Sequence, residues 1–322
     1  MESNRFEKRL EYVPSEVWSK IIQIDQLKEQ WIHGAQLNSN TLERLKCSVL
    51  IVSSDSSARI EGSRISDEDI KNLLKKNIQK FTNRDEQEAI GYLKLLENIF
   101  NDWKNLKFSE DSIKNFHKEL LKYRYSEKLI PICLISKEMQ KLILWTQKNI
   151  YENKYHPLLL IANFIVEFLN IHKLTNNNYL SRILTNLLLL QSGYLYVPYI
   201  SYEKLIEENK PNYYMALRKS QKTFNKKGEN IVPWLNFFLT IFLKQSKMAI
   251  ELLSKENIEK NLSIKQLAVW QYIQITKESS PIEISKNVDI ARPTVSQALS
   301  KLLKLRKIER IGSGRSTRYR IF

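Results

Sequence analysis

The run from His156 to His172, HPLLLIANFIVEFLNIH, is apolar on nearly every side. A helix with that pattern has no polar face to turn to water, so it belongs inside a bundle with other helices around it. After a polar break, KLTNNN, a second apolar run follows, YLSRILTNLLLLQSG, and Gly193 is placed to end it from the first position past the helix. Pro157 suits the first turn of the earlier helix. Between Asp85 and Lys122 the apolar residues Ile90, Leu93, Leu95, Ile99 and Phe100 recur at helical spacing, which predicts amphipathic helices packed on that centre. VPWLNFFLTIFLKQSKMAIELLSKEN reads as one long helix with Pro233 near its start. Only 7 Gly and 8 Pro in 322 residues favour helices over a many-turned sheet protein, and a mainly α fold is expected.

Leu158 to Leu169 is interrupted by Asn163 and Glu167 and is too short to cross a bilayer, so no membrane is expected as a partner. The opening MESNRFEKRLEYVP lacks the apolar run of a signal peptide, and the cytoplasm is the expected compartment. Cys47 and Cys133 lie in apolar surroundings, KCSVLIV and IPICLIS, and read as core thiols with no metal-binding spacing. The net charge of +16 fits an anionic partner, or equally a codon bias that inflates Lys, Asn and Ile. Its distribution separates the two. The chain from residue 261 carries 12 Lys and Arg against 4 Asp and Glu, whereas the first 260 residues carry 39 against 31. A uniform bias does not give that asymmetry.

From Ser263 the pattern is helix (QLAVWQYIQIT), short helix (PIEISKNV), turn, helix (RPTVSQALSKLLKLRKI) and two short β-like runs, IERI and TRYRIF, around Gly312 and Gly314. That order predicts a winged helix-turn-helix. Val295, Leu299, Leu302 and Leu303 give the third helix its apolar face, and Thr294, Ser296, Gln297, Ser300 and Lys301 lie on the other, suited to base edges and phosphates in a major groove. Arg315, Arg318 and Arg320 in the wing are candidates for phosphate or minor-groove contact. DNA is the expected partner, against the alternative of a protein-docking module with a solvated basic face.

The stretch FLNIHKLTNNNYLSRILTNLLLLQSGYLYVPYISYEKLIEENKPNYYMALRKSQ resembles the core of Fic proteins, whose signature reads HPFx(D/E)GNGRxxR, and the resemblance extends along most of the first 250 residues. It implies a Fic-type helical bundle and the family's activity, transfer of AMP from ATP to a protein hydroxyl. In such an enzyme the motif histidine is the general base, an acidic residue holds Mg²⁺, backbone N–H groups at a helix N-terminus meet the phosphates, and arginines neutralise them. Here His172 matches the base, or is a histidine left capping a buried helix. Lys173 and Leu174 replace Pro and Phe, and Asn176 stands where the carboxylate belongs. Asn177 replaces the first Gly, Asn178 matches the motif Asn, Tyr179 replaces the second Gly, and Arg182 matches the second Arg. The first Arg has no counterpart because the loop is one residue short. The resemblance makes Asn176, Asn178 and Arg182 nucleotide-binding, with ATP and Mg²⁺ as cofactors if the protein is active and none otherwise. Losing one preorganised electrostatic contact costs about 10²–10³ in rate. Several are lost together, so impaired or lost catalysis is expected. The hairpin that orients the target in the family is matched only by KYRYSEKLIPICLIS, which reads as truncated.

Upstream, SARIEG matches the family's inhibitory pattern, Ser or Thr, three residues, then Glu followed by Gly or Asn. It places Ser57, Glu61 and Gly62 in a segment whose glutamate pairs with the second motif arginine, here Arg182. Ser57 and Glu61 are four apart and share a helix face. The expected organisation is an N-terminal helical region over residues 1–110, a Fic-like core over 111–260 with its motif at 172–182, and a DNA-binding module over 261–322. The alternative to an adenylyltransferase is a non-catalytic DNA-binding regulator in which the Fic fold is a scaffold that dimerises or senses nucleotide.

Overall fold

The computed structural model describes residues 5–34, 39–75, 83–123, 136–171, 177–226, 228–260, 262–305, 307–312 and 314–321. The chain divides into two compact units, Met1–Glu251 and Leu252–Phe322.

The first unit is helical among its described residues. Its helices are α1 (Arg5–Glu11), α2 (Ser15–Gly34), α3 (Ser39–Ile60), α4 (Asp67–Lys75), α5 (Arg84–Asp102) and α6 (Glu110–Leu121). They continue as α7 (Lys137–Glu152), α8 (Pro157–Ile171), α9 (Asn177–Gln191), α10 (Tyr202–Glu208), α11 (Lys210–Gln221) and α12 (Val232–Lys260), the last of which runs on into the second unit. Every residue of α8 from Leu158 to Phe168 is buried, as its all-round apolar sequence requires. Helices α7, α9, α11 and α1 pack against it. His156 starts α8: its carbonyl accepts from Leu159 and Leu160, and its Nδ1 accepts from the Leu158 N–H at 3.3 Å. The end of α9 is closed by Gly193 at φ +86°, with Tyr194 N–H bonded to Leu189 and Gly193 N–H to Leu190, the paired bonds of a Schellman turn.

A buried ion cluster ties the first helix to the central one. Arg9 Nη1 lies 2.7 Å from Glu167 of α8 with both side chains fully buried, and Arg9 also pairs with Glu229. Arg5 pairs with the same Glu167, and the Arg9 guanidinium sits 3.8 Å from the centre of the Phe224 ring. Asn163 Nδ2 donates to the Phe6 carbonyl at 2.9 Å, so α1 is fixed to α8 at two depths. Between α5 and α6 the backbones approach so closely at Gly91 that a Cβ there would lie 2.3 Å from the Leu120 carbonyl oxygen.

Cys47 is not a core thiol: it is exposed on α3. The apolar residues of the run KCSVLIV that enter the core are Val49 and Leu50, which lie on a different side of the helix. Cys133 lies outside the described residues, as does nearly all of the segment read as a truncated hairpin. Among the described residues, no helix is long and apolar enough to cross a membrane.

The second unit orders its elements as α13 (Ile264–Thr276), β1 (Glu278–Ser279), α14 (Pro281–Asn287), α15 (Arg292–Lys304), β2 (Ile308–Ile311) and β3 (Arg318–Ile321). The strands form an antiparallel sheet in the order β1-β3-β2, with Arg310 opposite Tyr319 and Glu278 opposite Arg320. Val269, Trp270, Ile273, Ile284, Val295, Leu299, Leu302 and Ile308 make its core. Capping boxes at Ser263/Gln266 and Ser280/Glu283 start α13 and α14. This small core is thus framed by local signals that hold each helix end.

Candidate functional site

Helix α3 reaches the site with an unusually polar buried stretch: Ser53, Ser54, Asp55, Ser56 and Ser57 are all fully buried. The helix ends in a Schellman turn in which Ser63 N–H bonds to Ala58 and Gly62 N–H to Arg59. That turn needs a left-handed residue, and Gly62 supplies it at φ +100°. Glu61 is therefore the last residue before the chain swings away, with its side chain still aimed along the helix face that carries Ser57. The same end is anchored by Arg59, which pairs with Glu207 of α10 and with Asp55 at 2.6 Å. Burial pushes the Glu207 carboxyl up, but hydrogen bonds from Arg59, Lys204 and Ser56 outweigh it and hold the group at about 2.

Facing this helix end is the first part of α9. Arg182 is 2% exposed and all three of its guanidinium nitrogens are engaged. Nε donates to Ser57 Oγ at 2.9 Å, Nη2 to the Ser57 carbonyl at 3.2 Å, and Nη1 to Glu61 Oε1 at 2.9 Å. Asn178 Nδ2 donates to the other oxygen of Glu61 at 2.7 Å. One carboxylate thus bridges two residues a helical turn apart on α9. Burial alone would lower the Arg182 pKa, but Glu61 and the surrounding tyrosine hydroxyls raise it. The arginine is a cation at every physiological pH.

Tyr179 does not stand at the mouth of the site. It turns inward, 2% exposed, with its ring 5.2 Å from the Arg182 guanidinium and 5.8 Å from the Tyr92 ring. Tyr179 and Ile183 are four apart on the face of α9 that enters the core, and both are buried. Burial raises the Tyr179 hydroxyl pKa, as does the neighbouring Glu88. Below the arginine, Asn186 Nδ2 donates to the Arg182 carbonyl at 2.9 Å and to Glu203 at 2.7 Å, and the Tyr92 hydroxyl donates to the same Glu203 oxygen at 2.6 Å. Burial, then the Glu203 charge, pushes the Tyr92 hydroxyl well up. These tyrosines are hydrogen-bond donors and not proton acceptors.

The structure therefore brings Ser57, Glu61, Asn178 and Arg182 together. His172 and Asn176 lie outside the described residues. Tyr92, Asn186 and Glu203 were not singled out in the sequence. Asn186 carried a signal, being four residues from Arg182 on α9, whereas Tyr92 and Glu203 are 111 positions apart and share no pattern. Among the described residues, no cluster of His, Cys, Asp and Glu could hold a metal ion.

In the second unit, Ser296, Gln297 and Ser300 are exposed on α15 and Thr294 is half-buried. Together with Lys301, Lys304 and Gln266 of α13, three of them line an open groove, in which Lys301 Nζ donates to Gln266 at 3.2 Å. The arginines of β3 are paired with acids. Arg318 is held between Glu278 at 2.7 Å and Glu283 at 3.0 Å, and Arg320 pairs with Glu309. Three of the four acids from residue 261 onward are used in that way, which leaves the positive field to α15 and its neighbours. The Arg315 side chain lies outside the described residues.

No family model matches the chain, and no curated protein matches it in sequence. Solved structures do. A Fic family protein from Desulfovibrio desulfuricans G20 is 16% identical with a TM-score of 0.61, over 97% of this chain and 97% of that one. A Fic domain containing signaling protein from Bacteroides thetaiotaomicron VPI-5482 is 19% identical with a TM-score of 0.58, over 72% of this chain and 98% of that one. Fic-1 from C. elegans is 17% identical with a TM-score of 0.58, over 72% and 71%. At such identities the likeness defines the fold: the chain has the fold of Fic family proteins.

Proposed function

We propose that the chain is a Fic-type protein whose nucleotide site is held shut by its own inhibitory segment, with catalysis impaired or lost, and whose C-terminal unit is a winged helix that binds DNA. The observation that carries the first part is the state of Arg182. A phosphate-binding arginine needs N–H groups facing an open site, and here three of the five guanidinium N–H groups donate to Ser57 or Glu61 in a side chain that is almost wholly buried. Asn178, the other retained motif residue, is bonded to the same glutamate. An ATP phosphate would have to displace Glu61 and then stand in a site with neither the motif carboxylate nor its first arginine. The DNA-binding part rests on the exposed polar face of α15 and the excess of cations in the unit that carries it.

Calorimetry of ATP with Mg²⁺ on the wild type and on Glu61→Gly tests the site. No binding to the wild type and weak saturable binding to the variant is the expected result. Tight wild-type binding contradicts it. Labelled-AMP transfer by the variant would favour a second reading, a latent adenylyltransferase with His172 as base, ATP and Mg²⁺ as cofactors and a protein hydroxyl as target. That reading draws on the alignment of Asn178 and Arg182 on α9, which leaves both poised once Glu61 is removed.

A further inference from the structure

Val295, Ala298, Leu299 and Leu302 of α15 pack into the core of the second unit. The line of the helix opposite them holds Pro293, Gln297, Ser300 and Lys304, which follow one another at helical spacing and are all exposed. Ser296 and Lys301 flank that line, and Arg292 lies off it, on the side of Leu299. The four offer a ligand different things. Pro293 has no polar side chain, Lys304 is a cation in the last turn, and the Ser300 hydroxyl donates or accepts. Gln297 alone sets a donor and an acceptor side by side, and its amide makes no hydrogen bond to a described residue. Lys301, by contrast, donates to Gln266 of α13 at 3.2 Å.

The rest of the helix narrows what such a residue can read. No Asp or Glu occurs in α15, so nothing on it accepts from the N4 amino group of cytosine. Its start has no side-chain cap, whereas α13 and α14 each begin in a capping box. The first N–H groups of α15 are therefore open to a backbone phosphate, and a phosphate held there sets the first two turns, which include Gln297, against the base edges. Arg292, beside the core row, and Lys301, bonded to Gln266, are placed for phosphates rather than for the paired acceptors of guanine.

We infer, on the reading of this unit as a DNA-binding one, that Gln297 is its specificity-determining residue and that the base it selects is adenine. The Gln297 amide N–H₂ donates to adenine N7 and its Oε1 accepts from the N6 amino group, a pairing that needs an acceptor and a donor next to each other on the major-groove edge. Only adenine presents both. Guanine shows two acceptors there, cytosine an amino group and thymine a carbonyl. Ser296 and Ser300, whose hydroxyls meet donors and acceptors alike, add contact without choosing a base.

The test uses the full chain and a pool of synthetic duplexes with a randomised centre, from which the protein-bound fraction is recovered and sequenced. The wild type is expected to enrich a site with a required adenine, at which any other base lowers affinity about ten- to a hundredfold in fluorescence anisotropy. Gln297→Ala is expected to cut that preference to about twofold or less, and Gln297→Glu to move it to cytosine, whose amino group a carboxylate accepts. 7-Deazaadenine at that position, which lacks the N7 acceptor, should weaken binding by the wild type and not by Gln297→Ala. Lys304→Ala, by contrast, should weaken all sequences alike. Gln297 is exposed, so these substitutions leave the fold intact. An enriched site at which Gln297→Ala keeps the wild-type preference, or at which the wild type binds 7-deazaadenine as well as adenine, overturns the assignment of Gln297 and leaves DNA binding standing. A chain that retains no duplex from the pool overturns DNA binding and the assignment with it.

Discussion

Replacing Glu61 by Gln probes the clamp with the least collateral change. The shape is kept, Gly62 still ends α3, and what is lost is one negative charge opposite a guanidinium that is 2% exposed. Removing one partner of a fully buried pair costs about 3–5 kcal/mol, because the other charge is left without compensation. Two features of this site reduce that figure. Ser57 goes on accepting from Nε and Nη2, and the Glu61 side chain is 22% exposed, so water reaches the side of the arginine that the carboxylate vacates. The expected loss is about 2–3 kcal/mol. For a unit of this length that corresponds to a fall in Tm of about 5–10 °C. Urea unfolding with the m-value held constant measures the free energy, and a cycle with Arg182→Met isolates the pair. The double variant is expected to lose about 2 kcal/mol less than the sum of the singles. Because the pair is mostly shielded, the coupling should persist in molar salt. A Glu61→Gln protein within about 0.5 kcal/mol of the wild type, or a strictly additive cycle, refutes the reasoning.

Gly91→Ala is expected to cost about 2–3 kcal/mol in urea unfolding, since its methyl would strike the Leu120 carbonyl at a backbone contact that neither helix can relieve by turning a side chain. Gly62→Ala, where an added Cβ meets nothing within 4 Å, should cost only the left-handed backbone penalty of about 1–2 kcal/mol, and Gly62→Asn less. Glu207 is held at about 2 in the folded chain, so the unfolded chain binds its proton first as acid is added. Its contribution is complete above pH 4.5 and is lost as pH falls from there toward 2, and Glu207→Gln should flatten the stability profile in that window. Charge reversal at Lys304 should weaken DNA binding and lower the slope of log affinity against log salt, measured by fluorescence anisotropy. Arg318→Ala should change that slope little, because Glu278 and Glu283 already neutralise the side chain, and a large loss of slope would contradict its assignment as an internal ion pair.

The centre of the fold was legible because burial on all sides leaves a compositional mark: α8 has no polar face to hide, and the Schellman glycine that ends α9 is a local signal. The partnership of Ser57, Glu61 and Arg182 was legible through the resemblance, which joins residues more than 120 positions apart that no periodicity connects. What escaped was direction. Tyr179 stands where the motif has its second Gly, and the phase of α9 points it into the core. Cys47 sits in an apolar run, but its neighbours rather than itself face inward. The acids that flank Arg318, Glu278 of β1 and Glu283 of α14, come from other elements, and no sequence pattern joins them to it. Each of these depends on which side of an element faces a neighbour, and a one-dimensional pattern of charges does not carry that.

The ion cluster of Arg5, Arg9 and Glu167 gives the first helix a weight out of proportion to its 7 residues. A tail clipped before residue 12 would ordinarily pass as housekeeping at an end of a chain. Here it would act as a core mutation. Glu167 would lose both of its arginines, in the very helix whose last turn leads into residues 172–176, and Phe6 would leave a gap against Trp145. Whatever the site does, its geometry is held from both sides of the sequence, and a trimmed protein would report on a different molecule.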